Sequence, residues 1–246
     1  MTAKTNKKFR FEFKYELDPN TAYLIERDIV RYGMRADPNI SSPNGEYFVT
    51  SLYYDSYDLS DYRDKTDGLI SRKKFRLRVY KPTIGESQTV WLEIKNKHKQ
   101  ENFKTRILLT NSEFEDFFMR GSSSLVERKW TEKEMGKKDE ILWNAIKNSI
   151  KPSVTVRYKR KAYLNELQNL RVTFDSNLET CKGHNFMYNS FMKPVNRGKM
   201  VMEVKFKYLL PFWLKKIIAT HSLKADTYSK YEKSVEVLHR FNPLSR

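Results

Sequence analysis

Phe9-Arg10-Phe11-Glu12-Phe13-Lys14-Tyr15 alternates without a break, so an extended chain places four aromatic rings on one side and Arg10, Glu12 and Lys14 on the other. A half-buried strand is the element this pattern specifies. The same period returns along the chain. Residues 74–80 carry Arg76 and Arg78 on one parity, and residues 89–95 carry Glu93 and Lys95. Residues 103–109 set Lys104 and Arg106 opposite Phe103, Ile107 and Leu109. Residues 200–208 separate Met202, Val204 and Phe206 from Glu203, Lys205 and Lys207. Residues 47–54, 154–163 and 170–175 also read as strands. The turn at 82–85 makes 74–80 and 89–95 a hairpin.

Helices interrupt the strands at a few places. Asp18-Pro19 has the cap and first-position proline of a helix start, and Leu24, Ile25 and Ile29 carry that helix to about Gly33. A loop rich in Pro, Asn, Ser and Gly follows at 37–45. Residues 55–66 form an acidic, tyrosine-rich turn with a short helix, closed by Asp67-Gly68. Between about 111 and 150 the period changes. Ser112 with Glu115 predicts a capping box, and Ile141, Leu142, Ala145 and Ile146 have helical spacing, so this stretch reads as a helical insert. Two further helices are expected at 212–220 and 229–240. No linker separates the halves, and the expectation is one domain over residues 1–246.

Composition removes several classes. The 246 residues hold 47 Lys and Arg against 30 Asp and Glu, a net charge of +17, yet 39% are hydrophobic and Tyr and Phe number 15 each. That chain buries a core and is no basic tail. One cysteine, Cys181, forbids an internal disulfide and fits a reducing compartment, so a cytoplasmic location is expected. No apolar run is long enough to span a bilayer; the most hydrophobic stretch, 208–219, is broken by Lys215 and Lys216. The four histidines are scattered without HExxH spacing, and neither GxxxxGK[ST] nor GxGxxG occurs, which argues against a zinc protease, a P-loop NTPase and a Rossmann enzyme. Cys181, His98 and His184 have no chemical role on this reading.

The basic residues decide what the alternation is for. A solvated sheet face mixes charges with Thr, Ser and Gln, whereas several strands here supply Arg and Lys at i, i+2 spacing with few acids among them. Cations that close repel unless an anion answers them. The reading is an α+β fold built on a closed antiparallel β-barrel, its apolar face outside under the helices and its charged face lining the inside. Such an interior needs a polyanion, because burying unanswered cations is costly.

The ordered motifs carry a resemblance. Glu12-x-Lys14-Tyr15, Tyr53-Tyr54-Asp55-Ser56 leading to Tyr62-Arg63, and Arg76-x-Arg78-x-Tyr80 come first. Glu93-x-Lys95, Lys104-x-Arg106, Tyr158-x-Arg160-x-Ala162-Tyr163, Arg171-x-Thr173-x-Asp175, Glu203-x-Lys205 and Tyr228-Ser229-Lys230-Tyr231 follow. Together they resemble the catalytic domain of the vacuolar transporter chaperone (VTC) family, polyphosphate polymerases of the triphosphate tunnel metalloenzyme superfamily. The resemblance implies a tunnel of antiparallel strands, ATP and inorganic polyphosphate as substrates, and a divalent metal, Mn²⁺ or Mg²⁺. Carried over position by position, Lys14, Arg76, Arg78, Lys95, Arg171, Lys205 and Lys230 would act on the reacting phosphates, Arg63, Lys104 and Arg160 would bind substrate, and Glu203 would ligate the metal. Strand parity adds Arg106 to the substrate-binding set. Glu93 is balanced between a metal role and simple pairing with neighbouring arginines, and Asp55 and Asp175 read as structural.

Departures from the pattern qualify it. The superfamily opens with Glu-x-Glu-x-Lys, and here Arg10 stands at the first position, which thins the carboxylates and tilts the site from hydrolysis towards phosphoryl transfer. Arg160 shares parity with Val154, Val156 and Tyr158, so either a bulge intervenes or Arg157 is the inward residue. The sensory domain of eukaryotic relatives has no counterpart in these residues, so a stand-alone form is expected. The competing functions are a triphosphate hydrolase on the same cations, a polyphosphate-binding protein without activity, and a nucleic-acid binder. The last is disfavoured because bases and aromatics take opposite strand faces. A membrane-protein partner at the inner face of a membrane stays open, through exposed lysines such as Lys215 and Lys216.

Overall fold

The computed structural model describes residues 11–239 apart from 39–41, 43, 87–88, 99–100, 148, 184–185 and 187–190. Arg10 and His184 lie outside the described residues, as do the start of the first predicted strand and the end of the last helix at Arg240. The chain divides into two compact units. Unit 1 comprises Met1–Tyr47, Tyr158–Leu178 and Asn196–Ser229, and unit 2 comprises Phe48–Arg157, Glu179–Val195 and Lys230–Arg246.

In unit 1, β1 (Phe11–Leu17) pairs antiparallel with β10 (Met200–Phe206), which pairs with β8 (Leu170–Lys182). The register places Phe11, Phe13 and Tyr15 opposite Phe206, Val204 and Met202, and these opposite Leu170, Val172 and Phe174. Residues directly opposite in an antiparallel pair point to the same side. This apolar face receives helix α1 (Pro19–Arg31) through Ala22, Ile25 and Ile29, and helix α6 (Phe212–Thr220) through Leu214 and Ile217. Helix α1 begins as expected: the Asp18 carboxylate accepts from the Thr21 N–H at 2.9 Å, and the chain leaves through Gly33 at φ +81°. Strand β2 (Arg35–Ala36) then pairs with the end of β7 (Lys151–Asn165), a short element that two residues of sequence cannot announce.

Unit 2 is built on a meander. Strand β3 (Glu46–Asp55) pairs with β4 (Ser71–Val79), β4 with β5 (Thr89–His98), and β5 with β6 (Glu101–Thr110), all antiparallel. Leu52, Tyr54, Phe75, Leu77, Leu92, Ile94, Ile107 and Leu109 form one face and pack under helices α3 (Asn111–Arg120), α4 (Ser122–Glu127) and α5 (Glu132–Lys147). The helical stretch therefore exists, but its capping box is two residues earlier than Ser112 and Glu115. Thr110 caps Glu113, whose carboxylate accepts from the Thr110 N–H at 2.8 Å. Helix α2 (Ser60–Thr66) follows β3, and helix α7 (Lys230–His239) lies in the same unit.

The hydrogen-bonded strand order is β1-β10-β8-β7-β3-β4-β5-β6, with β2 on β7 and strand β9 (Lys193–Pro194) on β8. Strands β1 and β6 end this path and do not pair with each other among the described residues. The α+β content is as expected, but the closed barrel is not: the sheet is open. Alternation specifies which side of a strand is buried, and says nothing of whether the first and last strands meet.

Candidate functional site

The face of the unit 2 meander turned away from its apolar core is where the cations gather. Register sets Lys74 opposite Lys95 and Lys95 opposite Lys104, a row of three lysines across three strands. The next row holds Arg76, Glu93 and Arg106, with Tyr53 beside Arg76 on β3. Beyond it come Arg78 and Trp91. Glu93 is fully buried and anchors these groups. Arg76 donates to its Oε2 through Nε at 2.9 Å and Nη2 at 2.7 Å, Arg78 Nη1 lies 3.8 Å away, and Lys104 forms an ion pair with Oε1. Burial opposes its charge, but Arg76, Arg78 and Lys104 outweigh that and hold the carboxyl far below the usual range. Glu93 thus has its oxygens taken by cations, which favours the pairing role over the metal role. Among the described contacts, Glu93 with Arg76, Arg78 and Lys104 carries three positive charges against one negative, a positive excess.

That excess shapes its neighbours. Burial and then the two arginines push the Lys104 ammonium down to about 8, against the pull of Glu93. Burial raises the Tyr53 phenol, but Arg76, Arg78 and Lys74 overcome it and bring it to about 7. Arg76 Nη1 donates to the Tyr53 hydroxyl at 3.1 Å. Tyr53 and Lys74 are site members the sequence reading missed, although Lys74 shares the parity of Arg76 and Arg78 and was findable on that signal. Arg106 is exposed and stacks over Trp91 at 4.3 Å. Lys230 opens α7 beside Tyr231, whose ring meets Tyr53 at 5.0 Å and Lys74 Nζ at 5.0 Å. Arg63 is not brought to this group by any described contact; it pairs with Asp58 on the exposed side of α2.

Unit 1 has a second polar face, opposite its aromatic one. Register aligns Glu12 with Lys205 and Arg171, and Lys14 with Glu203 and Thr173. Lys14 Nζ reaches Glu12 at 3.1 Å and donates to the Tyr228 carbonyl at 3.0 Å. Lys205 Nζ lies 2.7 Å from Glu203 and 3.6 Å from Glu12. Burial works against the Lys205 charge, yet Glu203 and Glu12 raise its pKa. Arg160 forks onto the buried Asp175 at 2.5 and 2.7 Å, and Arg171 donates to Asp37 at 2.7 Å. Arg160 also feels Glu203, whereas Arg157 pairs with Glu179 in unit 2. Of the two candidates left open by parity, Arg160 therefore belongs with the unit 1 polar face.

Cations balance carboxylates here, unlike in unit 2. Among the described residues no three His, Cys, Asp or Glu gather, so a divalent ion would rely on few protein ligands. Glu12 and Glu203 converge on one ammonium, and the buried Thr173 hydroxyl opposite Glu203 has no hydrogen-bond partner among the described residues. Two carboxylates and an orphaned hydroxyl are oxygen donors of the kind a hard ion takes, and Mg²⁺ commonly completes such a set with water and substrate phosphates. The residues fit such an ion.

Comparison with known proteins bears on what these faces do. The model of the VTC domain family matches residues 9–239. This chain belongs to the VTC domain family. No curated protein sequence matches it. Among solved structures, an adenylate cyclase-like protein from Bacillus halodurans is similar, with TM-score 0.52 and 12% identity, over 90% of this chain and 94% of that one. An adenylate cyclase-like protein from Vibrio parahaemolyticus gives TM-score 0.45 and 11% identity over 92% and 97%. An adenylyl cyclase-like protein from Hippeastrum, described as having a dominant triphosphatase activity, gives 0.48 and 13% over 90% and 93%. The Bacillus halodurans likeness is one of fold. The VTC domain match spans both polar faces, from Glu12 and Lys14 on β1 to Lys230 on α7.

Proposed function

We propose that this VTC domain protein transfers the γ-phosphoryl group of ATP to the end of an inorganic polyphosphate chain and releases ADP. The observation that carries the reading is the unit 2 face, where Lys74, Lys95 and Lys104 stand in one cross-strand row beside Arg76, Arg78 and Arg106, with Glu93 buried among them. Like charges in that register repel, and a chain of phosphates supplies counter-charges at a repeat that many cations can share.

Phosphoryl transfer asks little covalent chemistry of the protein. A terminal phosphate oxygen of the acceptor forms a bond to the γ-phosphorus as the bond to the β–γ bridging oxygen breaks, and the work lies in in-line positioning and charge matching. Arg76 and Arg78 present guanidinium forks whose directions Glu93 and Ser51 fix, the latter accepting from Arg78 Nε at 3.0 Å. Lys95 and Lys104 add point charges. On the unit 2 face Lys230 is added to the proposed phosphate-binding set, with Arg63 and Arg106 as outer contacts; on the unit 1 face Lys14, Lys205, Arg160 and Arg171 form a second group of phosphate-binding candidates. A bound Mg²⁺ or Mn²⁺ would neutralise phosphate oxygens, and Glu203, with Glu12 and Thr173, would hold it.

The test separates chemistry from binding. Glu203→Gln is expected to lower polyphosphate synthesis at least 100-fold while polyphosphate affinity changes less than about threefold. Arg76→Ala is expected to weaken both. Full synthesis by Glu203→Gln would remove Glu203 from the reaction.

A further inference from the structure

The turn into α6 carries a surface that the phosphate chemistry does not use. In Tyr208-Leu209-Leu210-Pro211-Phe212 three side chains point into solvent: Tyr208 is 64% exposed, Leu209 81% and Phe212 82%. Single exposed apolar residues are ordinary, but three within five positions at one corner are not. Leu214 and Ile217 turn inwards to the unit 1 core, so α6 is held with Phe212, Lys215 and Lys216 outwards. Trp213 is fixed from beneath, stacked on Tyr32 at 4.8 Å and donating from Nε1 to Gln168 Oε1 at 3.2 Å. Trp213 thus anchors the corner to unit 1.

Its charge is one-sided. From Lys207 to Ala225 the chain has four lysines, Lys207, Lys215, Lys216 and Lys224, and no acid. Lys207 lies over the Tyr208 ring at 5.1 Å, and Lys215, Lys216 and Lys224 are exposed. Apolar tips ringed by lysines match the boundary of an anionic bilayer, where acyl chains accept the tips and headgroups the ammonium groups. Helix α6 has nine residues, roughly 14 Å, about half of the hydrocarbon thickness, and no described helix is long and apolar enough to cross a membrane.

We propose that the 207–216 corner docks the protein on the surface of an anionic lipid bilayer, with Leu209 and Phe212 entering the headgroup layer and Lys207, Lys215 and Lys216 meeting lipid phosphates. The surface lies on exposed side chains, so its substitutions leave both cores intact.

Co-sedimentation of the full chain with vesicles of phosphatidylcholine alone and with 30% phosphatidylglycerol tests this. Binding is expected only to the anionic vesicles. Leu209→Ser with Phe212→Ser, which changes no charge, and Lys215→Glu with Lys216→Glu are each expected to weaken it by roughly tenfold or more. Lys129→Glu with Lys133→Glu, exposed in unit 2, is expected to weaken it far less. Absence of wild-type binding, full retention by the serine variant, or equal loss from the unit 2 control would overturn the proposal. So would sedimentation velocity showing a dimer that the serine variant abolishes, because the corner would then face a second copy.

Discussion

Tyr53 and Lys104 are two residues whose charge states report on the anion the account invokes. Both sit among Arg76 and Arg78, and their pKa values of about 7 and about 8 lie below those of an ordinary phenol and ammonium. A phosphate chain favours neutral Tyr53 and charged Lys104, so binding takes up protons at both. Affinity should therefore fall as pH rises from 6 to 9, through 7 and then 8. Tyr53→Phe should flatten the lower part of that profile and Lys104→Arg the upper part, measured by titration with polyphosphate at fixed ionic strength. In the free protein, absorbance at 295 nm should show one tyrosine ionising near pH 7, absent in Tyr53→Phe and shifted upwards by polyphosphate. A phenol titrating at its usual value would remove the cationic cluster from the explanation. At the same scale, Asp175→Ala leaves the partly buried Arg160 guanidinium without its fork partner and should destabilise by about 2–4 kcal/mol in urea unfolding.

Among the elements, α2 is placed by a carboxylate outside it. Asp55, at the end of β3, accepts from the N–H groups of Asp61 and Tyr62 at 2.9 and 3.1 Å, and Tyr231 of α7 donates to it as well. The sequence reading of Asp55 as structural agrees with those contacts. Asp61 is buried beside it, and burial and then Asp55 raise its carboxyl to about 7. The unfolded chain releases that proton near pH 4 and the folded chain retains it to about 7, so this carboxyl's contribution to stability declines across that interval. Asp61→Asn should consequently stabilise by up to about 4 kcal/mol at pH 8 and by little at pH 4, read from melting at both. At the end of β8, Gly183 approaches β7 so closely that an added Cβ would stand 2.7 Å from the Pro152 carbonyl carbon and the Ser153 nitrogen. Gly183→Ala should cost about 1–3 kcal/mol. Strands were legible wherever one face was apolar, as in β1, β4, β5, β6 and β10. The extension of β8 to Lys182 was not, because beyond Asp175 its alternation dissolves, and the Thr110 cap was masked by Ser112, an equally good capping residue two positions on.

For the whole molecule, alternation identified two faces per strand and left closure undetermined. The open strand order from β1 to β6 is a long-range fact about which ends meet, and no residue pattern encodes it locally. The cations were more legible than the scaffold. Lys14, Arg76, Arg78, Lys95, Lys104, Arg171 and Lys205 lie on polar strand faces, as parity assigns them, whereas parity left Arg160 against Arg157 open and the Asp175 contact decides it. Their partners Asp37 and Asp175 were not assigned to them, because an ion pair 134 residues apart in sequence, such as Arg171 with Asp37, leaves no local trace. The cation-rich face of unit 2 and the balanced, oxygen-bearing face of unit 1 differ in charge, and the proposed phosphate chemistry rests first on the unit 2 face.

The most direct measurement incubates the purified chain with ATP and Mn²⁺ or Mg²⁺ and resolves the products on a gel that separates phosphate chains. A ladder of lengthening chains with ADP in matching amount, abolished by chelation, is expected of a polymerase; free phosphate without chains, or no turnover of ATP, would overturn that activity.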